Sequence, residues 1–575
     1  MNIARWQCRG KVIAMAARKK TRVLVIGLDG ATFDLLGPWM KEGKLPTLAR
    51  LTKSGVSGPL TSVFPPISPS AWTSFITGKN PGKHGVFDFS TRKQRSYERT
   101  AVNPNSMDGK TLWSILSESD RKVGVAYVPF APIEKVNGFM IPGIFSSRDV
   151  PTYPQSLEKE LREETQSYEL SRSLHEYVPG LEDRYLRDTM DITEKIEDVT
   201  LHLMAKYPWD FLMTTFFYGD QIQHFFWKYM DPNNLINDYK MAKKYRNAIL
   251  HYYQKIDNTL DRILRKADTR TTVIIMSDHG AGPVYKTVYI NHWLMKKNLL
   301  KLKKRSTQRS LKRYLFAQLT QKNIVDIFAK GSLMKILSKI KPPTYFRSKY
   351  YGFLMSSRPT LSDVDWTRTK AYSVGIFGQV FINLIGREPA GIVKPGKEYE
   401  ELRSFLVRGL AELKDPETDE KIVDKVFKRE ETYWGPHTRE AADIIFIMKG
   451  MTYYTHTPEF GPDPDSLTEP PVNMESATHR MNGIFIITGP NIRRDVTIEN
   501  ARIVDVAPTV LHVMNVPIPL DMDGRVLKEI FEPESDSAKR EVKRAEYPKE
   551  KVARRRLSEE ERQIKERLKA LGYLG

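Results

Sequence analysis

The chain has 575 residues, of which 40% are hydrophobic and 28% are charged, and its formal net charge is +21. This composition excludes a largely disordered protein, and the length is sufficient for one large domain with insertions or for roughly two to four domains. A single cysteine, Cys8, excludes an internal disulfide and a cysteine-rich metal site. Any metal ion must therefore be bound by Asp, Glu and His.

The N-terminal twenty residues are basic and hold no apolar stretch of signal-peptide length. No later segment approaches the roughly 18 apolar residues that span a membrane. Together with the single cysteine, which suits a reducing compartment, these features predict a cytoplasmic protein with a disordered basic N-terminus over 1–20. Met15 is an alternative start, because recognisable structure begins only at about Thr21.

Apolar runs rich in Val and Ile predict buried parallel strands at 22–30 and 271–280. Further apolar runs of strand length lie at 123–130, 210–217 and 483–490. Segments with apolar residues at helical spacing, such as 46–55 and 238–267, separate the strands. This alternation predicts an α/β fold with a mostly parallel central sheet flanked by helices.

Residues 296–440 are predicted to form a large α+β insertion, because the α/β alternation stops before them and returns near residue 441. The segments 22–295 and 441–531 are therefore predicted to form one interrupted domain. Within the insertion, the spacing of apolar residues predicts a basic helical segment at 301–350 and an amphipathic helix at 398–414. Between them, residues 369–388 are predicted to form strands. The end of the chain, 532–575, is highly charged and predicts an exposed helical tail that docks, at most, through its last few residues.

The basic segment 301–350 holds fourteen Lys or Arg residues and one acidic residue, Asp326. A field of this sign attracts phosphates, anionic lipid head groups or nucleic acid. An anionic lipid surface is one predicted partner of this segment, and a solvated basic face is the alternative. We expect no specific binding of nucleic acid.

Three Asp and three His lie at or near predicted strand ends, where the functional groups of open α/β sheets collect. They are Asp29, Asp220, His224, Asp278, His279 and His479. Asp220 and His224, four residues apart, would share one face of a helical turn. Taken singly, each Asp is better explained as a turn or cap residue, and each His as a satisfied core or surface residue. Buried together, they would be costly to leave unpaired, and oxygen and imidazole ligands around two divalent cations remove that cost.

The stretch "VFPPISPSAW", residues 63–72, predicts a helix start. Ser68 precedes Pro69, which suits the first helical position, and the helix is expected to stop at Gly78. Ser68 is then the N-cap, with its hydroxyl beside free backbone N–H groups that favour an anion. Bound to a divalent cation, this hydroxyl would also be a nucleophile. Ser70, inside the first turn, is the competing candidate.

Five motifs occur in the order and with the character of the alkaline phosphatase superfamily. They are "VLVIGLDG", "PPISPSAWTSFITGKNPGKHGVFDF", "GDQIQH", "SDHGAG" and "THRMNGIFIITGP". The chain most closely resembles the type I phosphodiesterase/nucleotide pyrophosphatase branch, especially its prokaryotic phosphohydrolase/phosphomutase-like members. The similarity spans 22–290 and 440–530 and implies an alkaline phosphatase-like catalytic domain.

The resemblance implies a two-metal phosphoesterase that hydrolyses a small-molecule phosphodiester or phosphomonoester through a phosphoseryl intermediate. It assigns one metal ion to Asp220, His224 and His479, and the other to Asp29, Asp278 and His279, with Ser68 completing the second site as the nucleophile. The ions are expected to be Zn²⁺, with Mn²⁺ as the alternative.

The sequence departs from the nucleotide enzymes at one position of the nucleophile loop. Those enzymes carry an Asn that donates to the phosphoryl oxygens, and the matching residue here is Phe89. The missing donor would be replaced by the Ser68 amide, the metal ions, or a cation among Lys79, Arg92 and Lys93. Sulfatase activity is disfavoured, because "SPSAW" does not match the formylglycine motif of that branch.

Two alternatives to a hydrolase are consistent with the sequence. One is a phosphomutase of the cofactor-independent phosphoglycerate mutase type, which returns the phosphoryl group to the substrate. The other is a non-catalytic protein that binds anions or membranes and has a structural metal site. The intact set of ligands and the intact Ser68 argue against the second alternative.

Overall fold

The computed structural model describes the protein over residues 21–93, 96–146, 149–168, 177–233, 239–304, 358–455, 459–461, 463–471, 475–548 and 558–570. The predicted N-terminal segment 1–20 lies outside these ranges. So do residues 305–357, which include most of the predicted basic segment 301–350.

The described strands are, in chain order, β1 (Arg22–Leu28), β2 (Val56–Thr61), β3 (Ser90–Arg92), β4 (Arg99–Ala101), β5 (Val123–Ala126), β6 (Gly138–Ile141), β7 (Phe211–Phe216), β8 (Thr271–Met276), β9 (Gly280–Pro283), β10 (Lys286–Val288), β11 (Ala371–Ser373), β12 (Gln379–Ile382), β13 (Val423–Lys428), β14 (Ile444–Met448), β15 (Tyr453–Tyr454), β16 (Thr468–Glu469), β17 (Ala477–Arg480), β18 (Asn482–Thr488), β19 (Val496–Thr497), β20 (Ala501–Arg502), β21 (Ile518–Pro519) and β22 (Arg544–Ala545).

The described α-helices are α1 (Phe33–Lys41), α2 (Pro46–Ser54), α3 (Ser68–Thr77), α4 (Pro81–His84), α5 (Leu112–Glu118), α6 (Ser156–Glu164), α7 (Glu182–Lys206), α8 (Tyr218–Phe226), α9 (Tyr239–Tyr245), α10 (Ala248–Leu264), α11 (Ile290–Lys296), α12 (Lys397–Ala411), α13 (Arg429–Thr432), α14 (Ile503–Val513), α15 (Asp536–Lys539) and α16 (Ser558–Ala570). No helix in the described ranges is both long enough and apolar enough to cross a membrane.

A nine-stranded sheet forms the centre of the protein, in the order β19-β2-β18-β8-β1-β7-β5-β6, with β20 also paired to β2. Strand β1 pairs in parallel with β7 and β8, and β5 pairs in parallel with β6 and β7. Strand β18 is antiparallel to both of its neighbours. The predicted α/β fold with a mostly parallel central sheet is confirmed.

Side chains of β1 alternate between two apolar clusters, one on each face of the sheet. Val23 and Val25 lie in the cluster that includes α3 and α14, whereas Leu24 and Ile26 lie in the cluster that includes α2, α7, α8 and α10. Burial on both faces explains why β1 is an uninterrupted apolar run in the sequence. The strand is therefore a fixed platform for the residues that follow it.

The insertion contains a second, antiparallel sheet in the order β11-β12-β14-β13. Its apolar face packs with Leu406 and Leu410 of α12 in a cluster of its own. Strand β14 (Ile444–Met448) pairs with β12 and β13, so the prediction that the central domain resumes at residue 441 is wrong for this strand. Its apolar run suits either sheet, and the sequence pattern does not identify the pairing partner.

The predicted tail is partly integrated into the fold. Strand β22 pairs in parallel with β21, and helix α16 buries Ile564 and Leu568 in the same apolar cluster as Phe145. Arg567 donates to the main-chain oxygen of Ile144 over 2.7 Å. The predicted docking of the last few residues falls on 571–575, outside the described residues.

Candidate metal centre and active site

Strand order explains why distant parts of the sequence meet at one edge of the central sheet. Asp29 follows β1, and Asp278 and His279 follow the adjacent strand β8. Helix α8, which carries Asp220 and His224, follows β7 on the other side of β1. His479 lies on β17, paired with Ala281 of β9, the strand that continues from His279. All the predicted ligands therefore lie close together.

Asp220, His224 and His479 form the first ligand group, with one ligand atom of each within 4.8 Å of the others. His224 Nε2 lies 3.2 Å from Asp220 Oδ2 and 3.2 Å from His479 Nε2. The Nδ1 atoms of the two histidines donate to the main-chain oxygens of Ala477 and Pro66 over 2.7 and 2.8 Å, respectively. These hydrogen bonds hold each Nε2 lone pair toward the centre, as in histidine metal ligands.

Asp29, Asp278 and His279 form the second group, again within 4.8 Å of one another. His279 Nε2 lies 3.3 Å from Asp278 Oδ2 and 3.6 Å from Asp29 Oδ1. Within the described part of the chain, these two carboxylate oxygens are buried and accept no hydrogen bond. Buried oxygens without a donor are costly, and a bound cation would remove that cost. The residues present thus fit a divalent ion in each group.

Burial controls the electrostatics of the centre. It raises the pKa of Asp29 well above the ordinary value, and repulsion from Asp278 and Asp220 raises it further. Burial likewise raises the pKa of Asp278 to about 6. Burial also opposes ionisation of Asp220, but the charges of His224 and His479 outweigh it and hold the pKa of Asp220 well below its usual range. Cations would stabilise all three carboxylates.

Ser68 Oγ lies 3.3 Å from His279 Nε2, beside the second group. Ser68 is the first residue of α3, and the N-cap is Ile67, whose backbone is extended and whose carbonyl accepts from Ala71 over 2.9 Å. The prediction that Ser68 is the N-cap is therefore wrong by one position. Ser70 Oγ instead donates to the main-chain oxygen of Val86 over 3.0 Å. Geometry thus favours Ser68 over Ser70 as the hydroxyl at the centre.

Each cation predicted to meet the substrate takes part in an ion pair. Lys79 Nζ lies 2.5 Å from Asp521, and Arg92 pairs with the buried carboxylate of Glu388 in the insertion. Lys93 pairs with Glu98 over 3.4 Å at an exposed position. Lys79 and Arg92 therefore connect segments distant in sequence, and their predicted contact with substrate remains a prediction.

Two aromatic side chains are relevant to the site: Phe89 of the nucleophile loop, which the sequence singles out, and Phe377 of the insertion, which lies near a candidate ligand. Phe89 is buried, with ring centroids 6.4 Å from both Phe130 and Phe145. Phe377 of the insertion lies 5.9 Å from the ring of His479 and was missed. The only sequence signal for it is the pair of glycines around it, Gly375 and Gly378, both at positive φ.

A third group of possible ligands, Glu160, Glu164 and His202, lies at the surface away from the predicted motifs. Lys206 Nζ lies 3.1 Å from Glu160 and 2.6 Å from Glu164. Because one ammonium group already pairs with both carboxylates, the group is an ordinary surface ion-pair network.

The solved structures that are similar to this chain include the following three. Murine ectonucleotide pyrophosphatase/phosphodiesterase 5 is 14% identical, with a TM-score of 0.46, over 86% of this chain and 95% of that chain. The human form is 12% identical, with a TM-score of 0.46, and the match covers 86% of this chain and 95% of that chain. Phosphonoacetate hydrolase from Sinorhizobium meliloti 1021, in complex with phosphonoacetate, is 14% identical, with a TM-score of 0.49. The match covers 86% of this chain and 96% of that chain.

A comparison with curated protein sequences found no match. The family profile described as type I phosphodiesterase/nucleotide pyrophosphatase matches residues 23–466. This range contains the nucleophile loop and every candidate ligand except His479. The resemblance inferred from the motifs is thereby confirmed, and the chain belongs to the type I phosphodiesterase/nucleotide pyrophosphatase family.

Proposed function

We propose that the protein is a two-metal phosphoesterase that cleaves a phosphodiester or phosphomonoester with Ser68 as nucleophile. Family membership supports phosphoester hydrolysis. The observation that carries the specific assignment is the position of Ser68 Oγ, 3.3 Å from His279 Nε2 and beside two ligand groups. An Asp/His donor set suits Zn²⁺, and Mn²⁺ is the alternative.

The two ligand groups would each hold one divalent ion: Asp220, His224 and His479 the first, and Asp29, Asp278 and His279 the second. Such ions supply Lewis acidity, which favours ionisation of a serine hydroxyl and stabilises charge on the attacking and leaving oxygens. The main-chain hydrogen bonds of His224 and His479 keep both imidazoles oriented for this role.

The reaction of Ser68 takes two displacement steps. In the first, Ser68 loses its hydroxyl proton to solvent, Oγ bonds to phosphorus, and the ester oxygen leaves with the bonding electrons. In the second, water attacks the phosphoserine, releases the phosphoryl group and restores the hydroxyl. Two in-line displacements retain the configuration at phosphorus.

Helix α3 supplies further stabilisation to a phosphoryl group at Ser68. The first intrahelical hydrogen bond runs from Ala71 to Ile67, so the N–H groups of Ser68 and Ser70 lie ahead of it at the positive end of the helix dipole. N–H groups at this position bind phosphate oxygens. They are a source for the hydrogen bond that the apolar ring of Phe89 does not provide.

Turnover of p-nitrophenyl phosphate and bis(p-nitrophenyl) phosphate by protein loaded with Zn²⁺ or Mn²⁺ tests this function. We expect metal-dependent release of p-nitrophenol and a mass gain of one phosphoryl group on a peptide containing Ser68 after acid quenching. A panel of phosphorylated metabolites then separates hydrolysis, which releases phosphate, from the phosphomutase alternative, which forms an isomer. A protein that binds two ions but turns over none of these compounds would be a binding protein with a structural metal site.

The proposed role of the basic segment 301–350 is contact with an anionic lipid surface, supported by its charge. Reversal of charge at Lys303, Lys304, Arg305 and Arg309 should reduce sedimentation with vesicles that contain phosphatidylserine. Unchanged sedimentation would identify a solvated basic face. The predicted cytoplasmic location remains a prediction.

A further inference from the structure

A groove with a volume of about 330 Å³ is open to solvent and is lined by segments that follow the candidate metal ligands in the chain. Three segments form its walls: the start of α1, the residues that follow α8, and the residues that end and follow β9. The first two segments come directly after those that carry Asp29 and His224, and β9 pairs with the strand that carries His479. The groove is therefore built on the same scaffold as the ligand groups.

Aromatic and thioether side chains form the apolar part of the groove. Trp39, Trp227 and Tyr285 line it together with Met230. Trp39 is held by Tyr253, whose ring centroid lies 6.1 Å away, and Trp227 is almost fully buried. Indole and phenol rings present electron-rich faces that attract organic cations.

Two carboxylates give the groove a negative charge. Asp34 is exposed at the rim of the groove, whereas Asp231 is buried. Oδ2 of Asp231 accepts from the Tyr285 hydroxyl over 3.1 Å, and its Oδ1 accepts from the Asn233 N–H over 2.9 Å. Among the described residues that line the groove there is no Lys or Arg. The carboxylate of Asp231 is thus fixed in position beside two aromatic side chains.

One buried cation, Arg480, lies behind the wall and partly offsets this charge. Its guanidinium donates to the main-chain oxygens of Met451 and His479 over 2.8 and 2.9 Å. The positive charge of this guanidinium is attracted to the negative carboxylate of Asp34. Two carboxylates against one guanidinium leave a net charge of about −1 at the groove, which repels phosphate and other anions.

We propose that this groove binds an organic ammonium cation, of the quaternary or tertiary class. The combination of aromatic faces, a thioether and fixed carboxylates suits a charge that is spread over methyl groups and weakly hydrated. A bare divalent ion is disfavoured, because the walls offer few oxygen ligands. The inference goes beyond the proposed function and does not depend on catalytic turnover.

Calorimetric titration of the full-length protein with tetramethylammonium and with choline tests the proposal, first without metal and then with Zn²⁺. The comparison ligand is 3,3-dimethyl-1-butanol, which has the shape of choline without its charge. We expect saturable binding of both cations and binding at least about fivefold weaker for the neutral alcohol. Equal binding of the alcohol would overturn the assignment of a cation site.

Two substitutions locate the site. Asp34→Asn, at an exposed position, should weaken cation binding about threefold at low ionic strength, and Trp39→Leu about fivefold. Glu42→Gln, an equal change of charge at the end of the same helix but outside the groove, is the matched control and should leave binding unchanged. If Glu42→Gln weakens binding as much as Asp34→Asn, or if neither groove variant has an effect, the site is not in this groove.

The ammonium group has two possible sources, a part of the phosphoester substrate or a separate ligand. If tetramethylammonium raises the KM for p-nitrophenyl phosphate without changing kcat, the groove is a substrate subsite, whereas binding with unchanged KM identifies a separate ligand site. Absence of saturable cation binding overturns the proposal even when the ester is hydrolysed. Cation binding without any hydrolysis would instead contradict the proposed function alone.

Discussion

Trp72 donates its indole N–H to Asp29 Oδ2 over 2.8 Å, and both side chains are fully buried. The hydrogen bond connects α3, which begins at Ser68, to the end of β1, which carries a candidate metal ligand. Gly27 makes this contact possible, because a Cβ at this position would lie 2.7 Å from the Trp72 ring. One side chain therefore orients the candidate ligand from the helix that carries the proposed nucleophile, Ser68.

Trp72→Phe should lower the affinity for the second metal ion by about tenfold, because outer hydrogen bonds to metal ligands contribute on this scale. The variant keeps an aromatic ring but loses the N–H. Calorimetric titration of metal-free protein with Zn²⁺ measures the affinity. We expect a stability loss of about 1–3 kcal/mol from the smaller ring and the missing hydrogen bond.

Trp113→Phe is the matched control, because Trp113 is equally buried in the same apolar cluster and makes no hydrogen bond within the described residues. It should lose stability but keep its metal affinity. An equal loss of metal affinity in both variants would show that Trp72 acts through packing alone.

The convergence of the ligands was predictable from the sequence because parallel strands end at the same edge of a sheet. Asp29 and Asp278 follow apolar runs, and the helical spacing of Asp220 and His224 places them on one face. The same reasoning predicted the central sheet, since strands buried on both faces are uninterrupted apolar runs.

Features that depend on contacts between distant segments were not predictable. The pairing of β14 with the insertion, the ion pair of Arg92 with Glu388 and the position of Phe377 near His479 all arise from tertiary packing. The helix start at Ser68 differs from the prediction by one residue, because Ile67 in extended geometry leaves Ser68 already in the first turn. A local sequence pattern contains no information on such partners.

Ser68→Ala should reduce kcat by at least about a thousandfold, because it removes the attacking oxygen. Ser70→Ala should reduce kcat much less, since its hydroxyl donates to Val86 within the fold. Steady-state kinetics with p-nitrophenyl phosphate compares the two, and metal analysis verifies that each variant still binds metal. An inactive Ser70→Ala beside an active Ser68→Ala would assign the nucleophile to Ser70.

Metal stoichiometry should separate the two ligand groups. We expect two divalent ions per chain in the wild type, and loss of affinity for different ions in His479→Ala and Asp278→Ala, because these residues belong to different groups. Elemental analysis after equilibrium dialysis gives the number of ions bound. A single ion that is unaffected by His479→Ala would remove this residue from the centre.

Asp278→Asn should stabilise the metal-free protein at pH 7.5. Burial raises the pKa of Asp278 from 3.8 to about 6, so the folded state binds more protons than the unfolded state between these values. Stability therefore falls as the pH rises through this window, and above it the charged carboxylate destabilises the fold by roughly 3 kcal/mol. The neutral Asn avoids this cost and still accepts the hydrogen bond from the Gly30 N–H.

Thermal unfolding of metal-free protein from pH 4 to pH 7.5 measures the effect of Asp278→Asn. The Tm advantage of the variant should be largest at pH 7.5 and should shrink steadily toward pH 4, where the wild-type carboxyl is protonated in the folded state and the pH approaches the unfolded-state pKa of 3.8. Asp220→Asn is the matched control with the opposite expected sign. The charges of His224 and His479 lower the pKa of Asp220, so removal of this carboxylate should destabilise the fold at pH 7.5. With Zn²⁺ present the order of wild type and Asp278→Asn should reverse, since a bound ion stabilises only the protein that retains its ligand. A lower Tm for metal-free Asp278→Asn at pH 7.5 would show that the buried carboxylate is already compensated by the protein itself.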